Sequence, residues 1–217
     1  MAEDVRTALN TAGMAEFEKK HPKPDCVLLD SEYCSMGRMI GVKACRAAGY
    51  TYYDAVILLE LVPEEGVTID DVTAFENRLR RSGLTREEIV SDPMYAKITA
   101  AFDKAIDKAL AAGPCLIHDR ATVEMITSRG YTCNYVLMYA TDMDAKVARA
   151  RISPLYADLT DREEIIGKIR EEDNIRSNYH MAHSDTVWGD RNIYDLCINS
   201  EALGRDFAGE MLAGLMK

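Results

Sequence analysis

Four residues behind an apolar run carry the first chemical signal. The segment 28–41, LLDSEYCSMGRMIG, places Ser35, Met36, Gly37 and Arg38 between a strand-like stretch (CVLL, 26–29) and a helix-like pattern. Such a turn can hold phosphate. Backbone N–H groups and a helix N-terminus converge on the anion, and glycine lets the chain turn without a clashing Cβ. Gly37 and Ser35 are the candidate backbone and hydroxyl donors, and Arg38 is the candidate cation for β- and γ-phosphates. The full GxxxxGK[ST] pattern is absent, because its first glycine position is Glu32 and its last is Met39, which cannot ligate magnesium. Taken alone, the stretch is also what ordinary strand–loop–helix punctuation looks like.

A second loop adds to the first. CLIHDR (115–120) is an apolar run ending in Asp119 and Arg120. A carboxylate at a strand end can hold a magnesium-bound water or take the proton of an attacking oxygen. The neighbouring guanidinium can grip a phosphate with two parallel hydrogen bonds. The plainer reading is an ion pair at a loop. A third element, EEDNIRSNYH (171–180), sets Arg176 and Tyr179 three apart, neighbours on one helix face. Arginines there can neutralise the charge spread over a transferring phosphoryl group. The alternative is a solvated charged helix. His180 and His183 are not read as metal ligands, since only Asp185 stands close behind them and no thiol is near.

The elements that must position these loops alternate. Residues 26–29, 50–54, 115–118, 134–140 and 194–198 read as strands, several of them continuous apolar runs suited to burial on both faces. Helical patterns fill 2–20, 36–48, 94–111, 121–128, 142–152, 161–180 and 205–216, with less regular helical pieces over 55–95. Alternation of this kind predicts an α/β fold with right-handed crossovers and a parallel sheet, whose ligands bind where the strands end. The 217 residues fit one domain, and the net charge of −10 argues against nucleic-acid or anionic-membrane binding. The N-terminus lacks the apolar core of a signal peptide, and the six cysteines form no CxxC pair, so a reducing, cytoplasmic setting is expected.

With these elements in order, the chain resembles the cytidylate kinase-like family of P-loop phosphotransferases, over about residues 25–215. DSEYCSMGRMIG resembles the family loop SREFGSGGREIG, and Tyr53-Asp54 its YD pair. His118-Asp119-Arg120-Ala121 is similar to a Gly-Arg-Ala-type turn, and YATDMDAKVAR to a helix with two arginines, at Lys146 and Arg149. Asp173, Arg176, Tyr179 and His180 match DxxRxxYY, and WGDRNIYDLCINSEALG matches a WG…YDLCINT…LG ending.

The resemblance implies a three-layer P-loop kinase fold with a five-stranded parallel sheet in one domain, 1–217. It implies an acceptor-binding insertion near 55–95 and a helical lid near 150–187, preceded by the N-terminal helical extension (1–22) that the helical pattern predicts. It further implies ATP, Mg2+ and a small phosphorylated acceptor, nearest to CMP. Tyr53, Asp54 and Arg120 would face the acceptor. Asn199 and Gly204 would lie beside the adenine, and Arg38, Asp119, Arg149 and Arg176 would carry the transfer, with Asp119 organising the metal. Cys34 and Met36 replace two loop glycines, and Met36 is expected to resist φ > 0. Met39 stands where the family has glutamate. A non-catalytic nucleotide or phosphometabolite sensor, or another reaction on an anionic substrate, stays open, as does a homodimer.

Overall fold

In the computed structural model, which describes residues 23–154, 156 and 158–217, strand β1 (Cys26–Ser31) is buried along its whole length. The expected helix over 2–20 lies outside the described residues. β1 sits at the centre of a five-stranded sheet of order β2-β3-β1-β4-β5, every pair parallel. The other strands are β2 (Thr51–Tyr53), β3 (Cys115–His118), β4 (Cys133–Tyr139) and β5 (Leu196–Asn199). Alternate β1 residues point to opposite faces. Leu28 joins one core with Ile117, Leu137, Phe75 and Phe102, while Val27 and Leu29 join another with Ile40, Leu116, Val136, Ile198 and Leu212. Both faces are covered, which is why the strands read as apolar runs rather than alternating ones.

Helix α1 (Gly37–Ala48) follows β1, and Gly49 at φ 75 ends it. The expected insertion contains α2 (Ala55–Glu60), a 3-10 turn, α3 (Ile69–Leu79) and α4 (Arg86–Val90). Thr68 with Asp71 and Thr85 with Glu88 close capping boxes at α3 and α4. Then come α5 (Tyr95–Ala111), α6 (Val123–Thr127), α7 (Met143–Arg151), α8 (Arg162–His183), α9 (Ser200–Leu203) and α10 (Arg205–Leu215). α8 runs past the expected end at 180, and it is no freely solvated helix. Ile165, Ile169, Ile175 and Tyr179 are buried, and Asn178 donates to the carbonyls of Leu79 and Arg81 at the end of α3. The last strand lies later than expected because Tyr194 turns inward, its hydroxyl donating to Asp30 at 2.9 Å.

β1 lies between β3 on one side and β4 on the other, so the chain reverses its direction of travel across the sheet at β1. The loops after β1 and β3 therefore open into one crevice. Among the described residues no helix is long and apolar enough to cross a membrane.

Candidate active site

The crevice is a cavity of about 690 Å3 whose lining includes Ser31, Glu32, Met36, Gly37, Arg38, Asp54, His118, Asp119, Arg120, Arg149 and Arg176. All three chemical segments of the sequence thus meet at one place. α1 opens on this cavity with no side-chain cap, so the first-turn N–H groups at Gly37 and Arg38 have no partner of the usual kind. Gly37 is required there by contact. A Cβ on it would stand 2.4 Å from Ser31 Cβ and 2.7 Å from Ser31 Oγ.

The loop conformation departs from the expectation for Met36. Cys34 and Met36 both take left-handed backbone, at φ 63 and φ 66, although neither is glycine. Packing holds them: Met36 lies against the core that contains Ile40 and Ile198, and Cys34 against Val147 and Ile165. The conformation costs roughly 1–2 kcal/mol per residue, which tertiary contacts offset. Asp119 is the third such residue, at φ 59, where the Gly-Arg-Ala turn of the family has its glycine.

Two sequence-predicted residues are turned away from the cavity. Ser35 is fully buried. Its hydroxyl donates to the Met138 carbonyl at 3.1 Å and its N–H to the Glu32 carbonyl, so it ties the loop to β4 instead of offering a donor. Tyr53 is a core side chain, because period-two alternation points it inward while its neighbour Asp54 lines the cavity. Asn199 accepts from Glu201 and Ala202 N–H and caps α9, outside the main cavity. Gly204 lines a second cavity of about 490 Å3 with Leu203, Arg205, Phe207 and Met36, the last shared with the first cavity.

Each cation of the site faces a carboxylate. Arg38 lies 2.9 Å from Asp54, Arg176 3.1 Å from Asp119, and Lys146 2.6 Å from Glu32. Arg120 pairs with Glu76, and Arg149 pairs with Glu201 while also donating to the Cys34 carbonyl at 2.9 Å. The guanidinium groups are held in place by these pairs, and an incoming anion must compete for them. Arg176 also stacks over Tyr33 at 5.7 Å, and Arg120 over Tyr179 at 5.3 Å.

Residues that the sequence did not single out complete the floor. Ser31 and His118, at the ends of β1 and β3, are joined Oγ to Nε2 at 2.8 Å, and His118 Nδ1 meets the Tyr52 hydroxyl at 2.8 Å. Their one signal was position: both end a buried strand at the carboxyl edge of the sheet. Burial lowers the His118 pKa, so its ring is neutral near pH 7. Burial works against the Asp119 carboxylate. The facing His118, where it is protonated, with Arg176, Arg120 and the Ser31 N–H, outweighs it and holds its pKa below the ordinary value. Asp173 accepts the Tyr33 N–H at 2.6 Å, and burial pushes its carboxyl up to about 6.

A five-stranded parallel sheet flanked by helices, with an uncapped strand–loop–helix turn at its centre, defines a P-loop kinase-type α/β protein. The model of the cytidylate kinase-like family matches residues 26–202, and the chain belongs to that family. Its structure is similar to that of an uncharacterized protein from Eubacterium ventriosum ATCC 27560, at 17% identity and TM-score 0.61, covering 88% of this chain and 98% of that one. It is also similar to a shikimate kinase from Bacteroides thetaiotaomicron, at 12% identity and TM-score 0.46, covering 88% and 94%. At 17% identity the first of these likenesses concerns the fold alone. Comparison with curated proteins finds no match.

Proposed function

We propose that the protein is an ATP-dependent phosphotransferase acting on a small phosphorylated acceptor. The observation that carries this reading is the pair of cavities, about 690 and 490 Å3, that share Met36 at the uncapped start of α1. A nucleotide reaching from one to the other lays its phosphates across the loop, with its base near Gly204 and Phe207. The acceptor takes the larger cavity, between Asp54, Arg120 and the Ile152, Ser153 and Arg176 side of its lining.

The residues fit these ligands as follows. The N–H groups of Gly37 and Arg38 receive phosphate oxygens, with no Cβ at residue 37 to hold them off. Arg38, with 66% of its side chain exposed, exchanges Asp54 for phosphate at little cost. Magnesium keeps most of its waters and needs only one or two protein carboxylates, and Asp119 is the one at the strand end. When bound, it neutralises charge on the phosphate oxygens. Arg149 and Arg176 line the same cavity as Arg38 and stabilise the equatorial oxygens, and Arg120 orients the acceptor phosphate.

ADP release from ATP and magnesium, measured across nucleoside monophosphates and small phosphorylated alcohols, tests the reading. Turnover with one acceptor class is expected, and no turnover with any would remove it. Two observations favour a second reading, a non-catalytic nucleotide sensor: Met39 offers no metal ligand and each site cation is already paired. Calorimetric titration of ATP with and without magnesium separates the two. Magnesium dependence in the natural protein supports transfer, and dependence that appears only in Met39→Ser supports the sensor.

A further inference from the structure

Three side chains around the larger cavity do no phosphate chemistry. Met39 on α1, Val56 on α2 and Ile152 just after α7 all line it, and they stand 55%, 42% and 84% exposed. Three separate elements each set a large apolar side chain at the mouth of one cavity. The charged groups Asp119 and Arg176 lie deeper, with side chains 10% and 17% exposed, while Arg38 shares the exposed rim at 66%. Single exposed apolar residues are ordinary. Several grouped around a concavity with convergent charges at its floor form the pattern of a ligand site. The volume, about 690 Å3, falls in the range of roughly 300–1,000 Å3 that encloses small organic ligands.

We propose that the acceptor is amphipathic: an anionic phosphate held by the guanidinium groups at the floor, and an aliphatic or aromatic body laid against Met39, Val56 and Ile152. This rests on the phosphotransferase reading and names its substrate class. A ribose or other sugar at the mouth would lose water from its hydroxyls against three side chains that offer no hydrogen bond. An apolar body there removes water from both surfaces, and its contribution grows with the area covered. The two ends divide the work: the floor recognises charge, and the mouth selects against polar bodies.

The test is calorimetric binding of ethyl, butyl, hexyl and phenyl phosphate to the full chain, with ribose 5-phosphate and CMP beside them. Affinity should rise roughly three- to fourfold per methylene from ethyl to hexyl phosphate, and hexyl phosphate should bind tighter than ribose 5-phosphate. In Val56→Ser/Ile152→Ser, two exposed positions whose replacement leaves the core intact, the chain-length slope should collapse. A flat series in the natural protein, or tighter binding of the sugar phosphate, overturns the inference. A slope unchanged in the double variant also overturns it. So does a homodimer that the same variant dissociates while the series stays flat, since the apolar rim then belongs to a second copy. Because binding is read without turnover, a clear slope with no ADP release would keep this inference and remove the kinase reading. ADP release on polar acceptors with a flat slope would do the reverse.

Discussion

Arg176 donates from Nε to the Asp119 carboxylate at 3.1 Å, joining the middle of α8 to the end of β3 beneath the cavity. Arg176 also donates to the Glu172 carbonyl at 2.7 Å, so its guanidinium is fixed from two sides. The pair is at once a structural tie and the boundary of the proposed transfer site.

Breaking this pair should be costly in one direction. Arg176→Ala removes one guanidinium partner of a buried carboxylate that keeps the Ser31 N–H and the facing His118, and should lower stability by about 1–3 kcal/mol. Asp119→Asn keeps the shape, and asparagine tolerates the left-handed backbone there, so its cost should be smaller. Urea unfolding of the two single variants and the double variant measures the coupling, and strictly additive losses would show that the two side chains do not interact.

Gly37→Ala drives a Cβ into Ser31, 2.4 Å from Cβ and 2.7 Å from Oγ. Overpacking of this kind should cost about 1–3 kcal/mol. In a Ser31→Gly background the clashing atoms are gone, so most of the Gly37→Ala penalty should vanish. An equal penalty in both backgrounds, read from denaturant midpoints, would mean that the close approach does not explain the glycine.

Asp54→Asn retains an acceptor for the Ile57 N–H but no longer neutralises Arg38. Stability should change by less than about 1 kcal/mol, because the pair is largely exposed on the arginine side. Affinity for inorganic tripolyphosphate should rise. Arg38→Ala should lower kcat/KM by on the order of a hundredfold, roughly 3 kcal/mol of transition-state stabilisation. Unchanged tripolyphosphate binding in both variants would place the anion elsewhere.

Burial, followed by the facing charge of Asp119, pushes the Asp30 carboxyl up to about 7, against the hydroxyls of Tyr135 and Tyr194. The native state therefore holds a proton that the unfolded chain has released. The resulting stability is fully present below about pH 4 and is lost as pH rises to about 7. Between those values the group contributes a downward slope of up to about 1.4 kcal/mol per pH unit. Asp173, pushed up to about 6 by burial, adds to it. Asp30→Asn, followed by urea unfolding from pH 4.5 to 8, should flatten most of the slope, and a profile parallel to that of the natural protein would refute the assignment.

Much of the fold was legible because burial on both sheet faces leaves a plain mark in sequence. Runs such as CVLL and CLI suit central strands buried on both faces, as β1 and β3 are. The site was legible as segments more than as side chains. The loops after β1 and β3 and the Arg176 helix do converge, as a parallel sheet requires. The direction of individual side chains was less readable. Ser35 looked like a hydroxyl donor to phosphate, yet a carbonyl of the neighbouring strand claims it, and Tyr53 looked like a wall of the pocket, yet it is core.

The sequence by itself determined the order of strands and helices, the three segments that carry charge, and the family to which they belong, because each rests on local pattern and spacing along the chain. Tertiary structure alone decided which carboxylate faces each arginine. Glu32 meets Lys146, Asp54 meets Arg38 and Glu201 meets Arg149 across separations of 114, 16 and 52 residues. It also decided that Cys34 and Met36 adopt a turn that glycine would take more cheaply, since the core packed around them offsets the strain. The physical reason is common to both: a side chain's partner and a residue's tolerated strain depend on what the fold brings beside it, and that information lies in no single stretch of chain.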